Sequence, residues 1–134
     1  MEAKVSWLHG LRFVGTSGSG HSVVMDGNGG DTAPSPMEMV LMSAASCSSV
    51  DVVSILQKAR QQISGCEVDL KAERADTTPA VFTAIHMHFI VAGTDIAESH
   101  VERAVKLSAD KYCSVSIMLG HSVNVTHSFE IRNS

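Results

Sequence analysis

Two segments of the chain each carry one cysteine among small and apolar residues. SAASCSSVDVVSIL, Ser43 to Leu56, holds Cys47, and KYCSVSIML holds Cys113 sixty-six positions later. Thiols that meet in a fold can cycle between dithiol and disulfide. One thiolate attacks a peroxide or another thiol-reactive substrate and becomes a sulfenic acid, and the second thiol condenses with it. The bland alternative is packing, because a free cysteine is among the most buried residue types and behaves as a small hydrophobe. The pattern alone leaves both readings open. Reactivity needs a stabilised thiolate, usually from a helix N-terminus or a nearby cation, and the local sequence supplies neither. On a helix, Cys47 has Ser43, Ala44, Val50 and Asp51 as neighbours, and Cys113 has Ala109, Asp110, Ser116 and Ile117. Each thiol thus has a carboxylate within one turn, which raises a thiol pKa when close.

Composition narrows the class of protein. The chain has 134 residues, is 44% hydrophobic and 18% charged, and carries a formal net charge of −4, which suits one soluble domain over residues 1–134 with a real core. The ten basic residues, five of them Arg, form no stripe, and aromatics are sparse, so nucleic acid is not an expected partner. The start, MEAKVSWLHGLRF, lacks the basic and long apolar regions of a signal peptide. Met37 to Leu56 is interrupted by Glu38, Asp51 and serines, so no membrane span is expected there. These readings place the protein in the cytoplasm. There, three cysteines are free, metal-bound or redox-active thiols rather than structural bridges, and no C-x-x-C or zinc spacing occurs.

The elements that must position the thiols follow from periodicity. Strand-like runs cover Lys4–Leu8, Leu11–Thr16 and His21–Met25, before the turn-rich DGNGGDTAPSP. Ser35 and Pro36 mark a helix start, and the apolar pattern extends the helix to about Ile63, with Gly65 as its stop. That helix is apolar nearly all round as far as Val53, so it is expected to be buried on most sides. Cys66 to Glu73 alternates strictly and reads as a half-buried strand, with Cys66 on the core side. Past a turn at Thr77–Pro79, Ile85, Met87, Phe89 and Val91 share one strand face, making a hairpin. A second helix spans about Ile96–Leu119, stopped by Gly120, and Ser122–Arg132 is a last strand. The fold class is α+β, an antiparallel sheet with helices laid on it. The apolar first helix implies a homodimer that buries it.

The whole pattern resembles the OsmC/Ohr family of thiol-dependent hydroperoxide reductases. The segments PSPMEMVLMSAASCSSVDVVSILQKAR, HFIVAGTD and LSADKYCSVSIML are most similar to its YhfA-type branch. The resemblance implies an OsmC-like fold with two long central helices in an intertwined homodimer. It also implies that Cys47 is the peroxide-attacking thiol and Cys113 the resolving thiol. Organic hydroperoxides are the implied substrates and a small or lipoyl-type dithiol the reductant, with no metal or flavin. The family's glutamate follows the helix-starting proline, where this chain has Met37, and Glu38 lies about 180° around an ideal helix from Cys47. The family's arginine position falls near Gly18, and Arg12 is the closest arginine in sequence. The cysteines are therefore carried over and the arginine–glutamate pair is not.

Other candidates are weaker. His86 and His88 share a strand face, but two imidazoles are too few for a metal site, so exposed or interface histidines are expected. His21, His121 and His127 are candidates for a cation or a third ligand. Gly18 and Gly20 lack a phosphate-cradle setting and read as turns. Glu102 and Lys106 form a four-residue helix pair. The leading function is a thiol peroxidase in oxidative-stress defence. The alternative is a small-ligand-binding or structural dimer on the same scaffold.

Overall fold

Three short strands open the chain: β1 (Ala3–His9), β2 (Arg12–Ser17) and β3 (Ser22–Asp26). A computed structural model describes residues 1–134 and pairs these strands as an antiparallel meander. The β1–β2 reversal uses only Gly10 and Leu11, and Gly10 takes φ +59, a conformation glycine adopts at no steric cost. The register puts Val5, Gly15 and Val23 on one face with Trp7, Phe13 and Met25. Val5, Trp7 and Val23 on that apolar face are exposed.

Helix α1 (Pro36–Lys58) follows. Its start is a capping box: Ser35 Oγ accepts from Glu38 N–H at 3.2 Å, and Glu38 Oε1 accepts from Ser35 N–H at 2.9 Å. Its end comes earlier than the apolar pattern suggests. Gln61 N–H donates to Leu56 O and Arg60 N–H to Gln57 O, both at 3.0 Å, while Arg60 sits at φ +58. This is a Schellman closure with arginine in the left-handed place usually held by glycine. Gly65, read from the sequence as the stop, instead lies within the next strand at a register shift.

Two compact units divide the chain, Met1–Met42 and Ser43–Ser134. The second contains β4 (Gln62–Arg74), β5 (Phe82–Thr94) and β6 (Asn124–Asn133). β4 and β5 form the expected antiparallel hairpin. The inward row Ile85, Met87, Phe89 and Val91 is at most 1% exposed, each side chain contributing about 1.5–3 kcal/mol by leaving water. β6 departs from the all-antiparallel expectation and runs parallel to β5, with Phe89 opposite Phe129. The physical reason is the connection: a helical crossover between β5 and β6 returns the chain to the end where β5 began.

That crossover is not one long helix. It comprises α2 (Glu98–Leu107), a π turn (Ser108–Tyr112) and α3 (Ser114–Leu119). The break is at Cys113, whose ψ of 98° is extended and whose N–H reaches back to Ser108 O at 2.9 Å. Lys106 pairs with Asp110 at 3.4 Å, rather than with Glu102. By length and composition α1 is apolar enough to cross a membrane, and 28% of its most apolar window is buried. Its Met42 and Val50 are 44% and 67% exposed.

Candidate thiol site

The close approach of α1 to the broken crossover depends on small side chains. Ala44, Ala45 and Ser48 of α1 are buried, as is Ser108 at the start of the π turn. The Ser48 and Ser108 hydroxyls lie 2.8 Å apart, and Ser108 Oγ donates to Asp51 Oδ2 at 2.9 Å. A larger residue at either serine would push the two segments apart.

Cys47 lies on α1 and Cys113 on the broken crossover, and the Cys47 thiol is a neighbour that bears on Cys113. Cys47 is half-buried, Cys113 is fully buried, and both are free thiols. The Cys113 S–H donates to Ser116 Oγ at 3.1 Å, and Ala44 O lies 3.8 Å from the same sulfur. Ser116 N–H donates to the sulfur at 3.4 Å. Burial pushes the Cys113 thiol pKa up, the Ser116 hydroxyl and N–H pull it down, and the adjacent Cys47 thiol raises it again. The net direction is upward.

The carboxylates expected beside the thiols are occupied elsewhere. Asp51 accepts from Ser108 and Asp110 pairs with Lys106. Cys113 is not in mid-helix, as the periodicity suggested, but precedes a short helix. A cleft of about 450 Å³ begins one turn along α1 from Cys47, lined by Asp51, Ser54, Ile55, Arg103, Leu107 and Tyr112 among others. Cys66 keeps its sequence-derived place on the inner side of β4. Burial raises its pKa, and a hydrogen bond with Ser49 opposes the rise.

Arg12 and Glu38 are engaged within the first unit. Arg12 Nε donates to Thr32 Oγ1 at 2.7 Å and lies 3.7 Å from Asp26 Oδ2. Its Nη1 faces the His9 ring. Asp26 is 2% exposed and also accepts from Asn28 N–H, Thr32 N–H and the Thr32 hydroxyl. These bonds, the Thr32 hydroxyl foremost, hold its pKa below the ordinary value. The Glu38 carboxylate is lowered in turn by Ser35. The spacing Ser35-x-x-Glu38 is a capping-box signal that accounts for this glutamate from sequence alone.

His86 and His88 do share a face of β5, and their neighbours on β6 close them into a ladder. His86 Nδ1 meets Thr126 Oγ1 at 2.6 Å, and His86 Nε2 meets Ser128 Oγ at 2.8 Å. His88 Nδ1 meets the same Ser128 oxygen at 2.6 Å, and His88 Nε2 meets Glu130 Oε1 at 3.1 Å. A carboxylate only accepts, so the neutral His88 ring carries its proton on Nε2 and Nδ1 accepts from Ser128. Ser128 in turn accepts from His86 Nε2–H, and Thr126 donates to His86 Nδ1. The hydrogen bond from His88 is the main cause of a lowered Glu130 pKa. No group of three or more His, Cys, Asp or Glu is arranged to hold a metal ion. His127 stacks on Phe89 at 6.2 Å, and its buried Nε2 has no partner. Burial lowers its pKa, so it is a poor source of the missing cation. His21 faces Ser19 at 3.1 Å.

Comparison with known proteins supports the resemblance. The sequence pattern of the family described as OsmC-like protein matches residues 28–128. The chain is 59% identical over 131 residues to Protein YhfA of Escherichia coli (strain K12), covering 98% of each. A solved hypothetical protein from Aquifex aeolicus VF5 superposes with a TM-score of 0.90 at 31% identity, over 99% of this chain and 96% of that one. The organic hydroperoxide resistance protein OhrB of Bacillus subtilis superposes with a TM-score of 0.63 at 17% identity, over 97% and 98% of the two chains. The last likeness is one of fold. Since the family pattern spans most of the sequence and a relative this similar covers nearly all of it, the chain belongs to the OsmC-like protein family.

Proposed function

We propose that the protein is a thiol-dependent peroxidase that reduces organic hydroperoxides in oxidative-stress defence, through Cys47 and Cys113. The observation that carries this reading is the meeting of a half-exposed thiol with a buried one. In the first step the Cys47 thiolate attacks one oxygen of ROOH, the O–O bond breaks, and the alkoxide leaves as ROH after taking a proton. In the second, the Cys113 thiolate attacks the Cys47 sulfenic acid. The S–O bond breaks and hydroxide leaves as water, giving a disulfide. A small or lipoyl-type dithiol then returns both cysteines to thiols and is itself oxidised. The resistance protein from Bacillus subtilis, alike in fold, lends the substrate class its support.

The active form in this proposal is a cytoplasmic homodimer of single-domain protomers. Exposed Met42 and Val50 on α1, and exposed Val5 and Trp7 on the first sheet, are apolar surfaces of the kind association covers. A second reading has specific support: Arg12 and Glu38 are engaged by Asp26, Thr32 and Ser35. On that reading the same dimer binds a small apolar or electrophilic ligand, and its thiols react slowly.

One experiment separates the two. The reduced protein is treated with one equivalent of cumene hydroperoxide, quenched within seconds and mapped by mass spectrometry without reductant. The peroxidase reading expects rapid loss of two hydrogens and a Cys47–Cys113 link. Thiols still free after many minutes overturn it.

A further inference from the structure

We propose that Ser116 is the positioning residue that makes Cys113 a competent resolving thiol: its hydroxyl accepts a hydrogen bond from the S–H in the resting state, then rotates to donate one to the thiolate. The inference takes its biological use from the dithiol reading above.

Cys113 is fully buried, so its thiolate loses hydration and forms only if protein groups replace that water. The groups facing the sulfur are few. From α1 come the Cys47 thiol and the Ala44 carbonyl, and from α3 the hydroxyl and N–H of Ser116. Cys47 is the titratable group that bears on Cys113, and no cation or carboxylate is among the causes that move its acidity. The carbonyl only accepts and cannot stabilise a thiolate. The neighbouring Cys47 raises the Cys113 pKa rather than lowering it, so Ser116 supplies both donors that favour the thiolate, and it is itself 4% exposed, held where its hydroxyl reaches the sulfur at 3.1 Å. A hydroxyl serves both protonation states because it donates as well as accepts. Closure then proceeds by attack of the Cys113 sulfur on the Cys47 sulfur. The bond from Cys47 to its leaving group breaks, and that group departs with the electron pair. With a sulfenic acid, the proton given up by Cys113 combines with the departing hydroxide.

The test isolates this step from peroxide chemistry. In a Cys66→Ala background, 5,5′-dithiobis(2-nitrobenzoate) reacts with Cys47 and releases one thionitrobenzoate, and Cys113 then displaces a second. Ser116→Ala is expected to leave the first release unchanged, to slow the second about tenfold at neutral pH and to move its pH midpoint upward. Ser116→Thr, which keeps the hydroxyl, restores both. Wild-type rate and midpoint in Ser116→Ala overturn the proposal. So does a slower second release with an unmoved midpoint, which marks a merely structural role. Should Ser116→Ala fail to fold, Ser116→Thr and Ser116→Val share a shape, and equal second-release rates overturn it as well. A second release that depends on Ser116 in a protein inert to hydroperoxide would sink the proposed function and leave this inference standing.

Discussion

The thiol pair and the histidine pair look alike in sequence and end differently. Both are two chemistry-bearing residues of one type. His86 and His88 spend every ring nitrogen on Thr126, Ser128 and Glu130. Cys47 and Cys113 have weak partners, small neighbours and each other. The difference teaches that a reactive group is judged by what its lone pairs and protons are already doing. A saturated ladder organises a strand pair, while an under-partnered thiol beside a second thiol retains chemistry.

The largest expected effect tests this contrast directly. Cys47→Ser should lower dithiol-dependent hydroperoxide consumption about a thousandfold or more, since the nucleophile itself is lost. His86→Ala and His88→Ala should stay within about twofold on the same assay, and a large loss in either would break the comparison. Next, Cys113→Ser should still consume the first equivalent of peroxide but stop there. Dimedone should label its Cys47 sulfenic acid, which in wild type is consumed by closure.

Smaller effects sharpen the ladder's side of the comparison. Ser128→Ala removes the hydroxyl between the two imidazoles and should cost about 1–2 kcal/mol in urea unfolding, with peroxidase activity retained. Ser35→Ala should cost about 1 kcal/mol by removing half of the capping box, equally without effect on the thiols.

pH dependence gives the smallest signals, and their signs differ between groups. Cys66 and Cys113 have pKa values raised above 9.0, so their contribution to stability is present below that value and is lost as pH rises beyond it. Asp26 and Glu130 are lowered from 3.8 and 4.5, so their contribution is present above those values and fades as pH falls below them. Cys66→Ala should flatten the alkaline limb of a stability–pH curve, and Asp26→Asn the acid limb.

Much of the frame was legible in local pattern. The first three strands, the start of α1 and the inward face of β5 follow from alternation and capping, which depend on neighbours a few residues apart. The end of α1 was not legible, because Arg60 occupies a left-handed position that glycine usually marks and Gly65 lies in a strand. Nor was the break at Cys113, where the backbone turns extended although no proline or glycine lies between Ser108 and Leu119 to mark it.

The sequence by itself determined the family, the α+β class and which thiols to suspect, because residue types and spacings carry those directly. Tertiary structure alone decided which distant residues the candidates meet. Parallel pairing of β6 with β5 set Thr126 and Ser128 opposite His86 and His88 and so saturated the imidazoles. The π turn and the serine contact with α1 laid a buried Cys113 against Cys47. Those outcomes rest on contacts between residues about forty to seventy positions apart in the chain, and no local spacing encodes them.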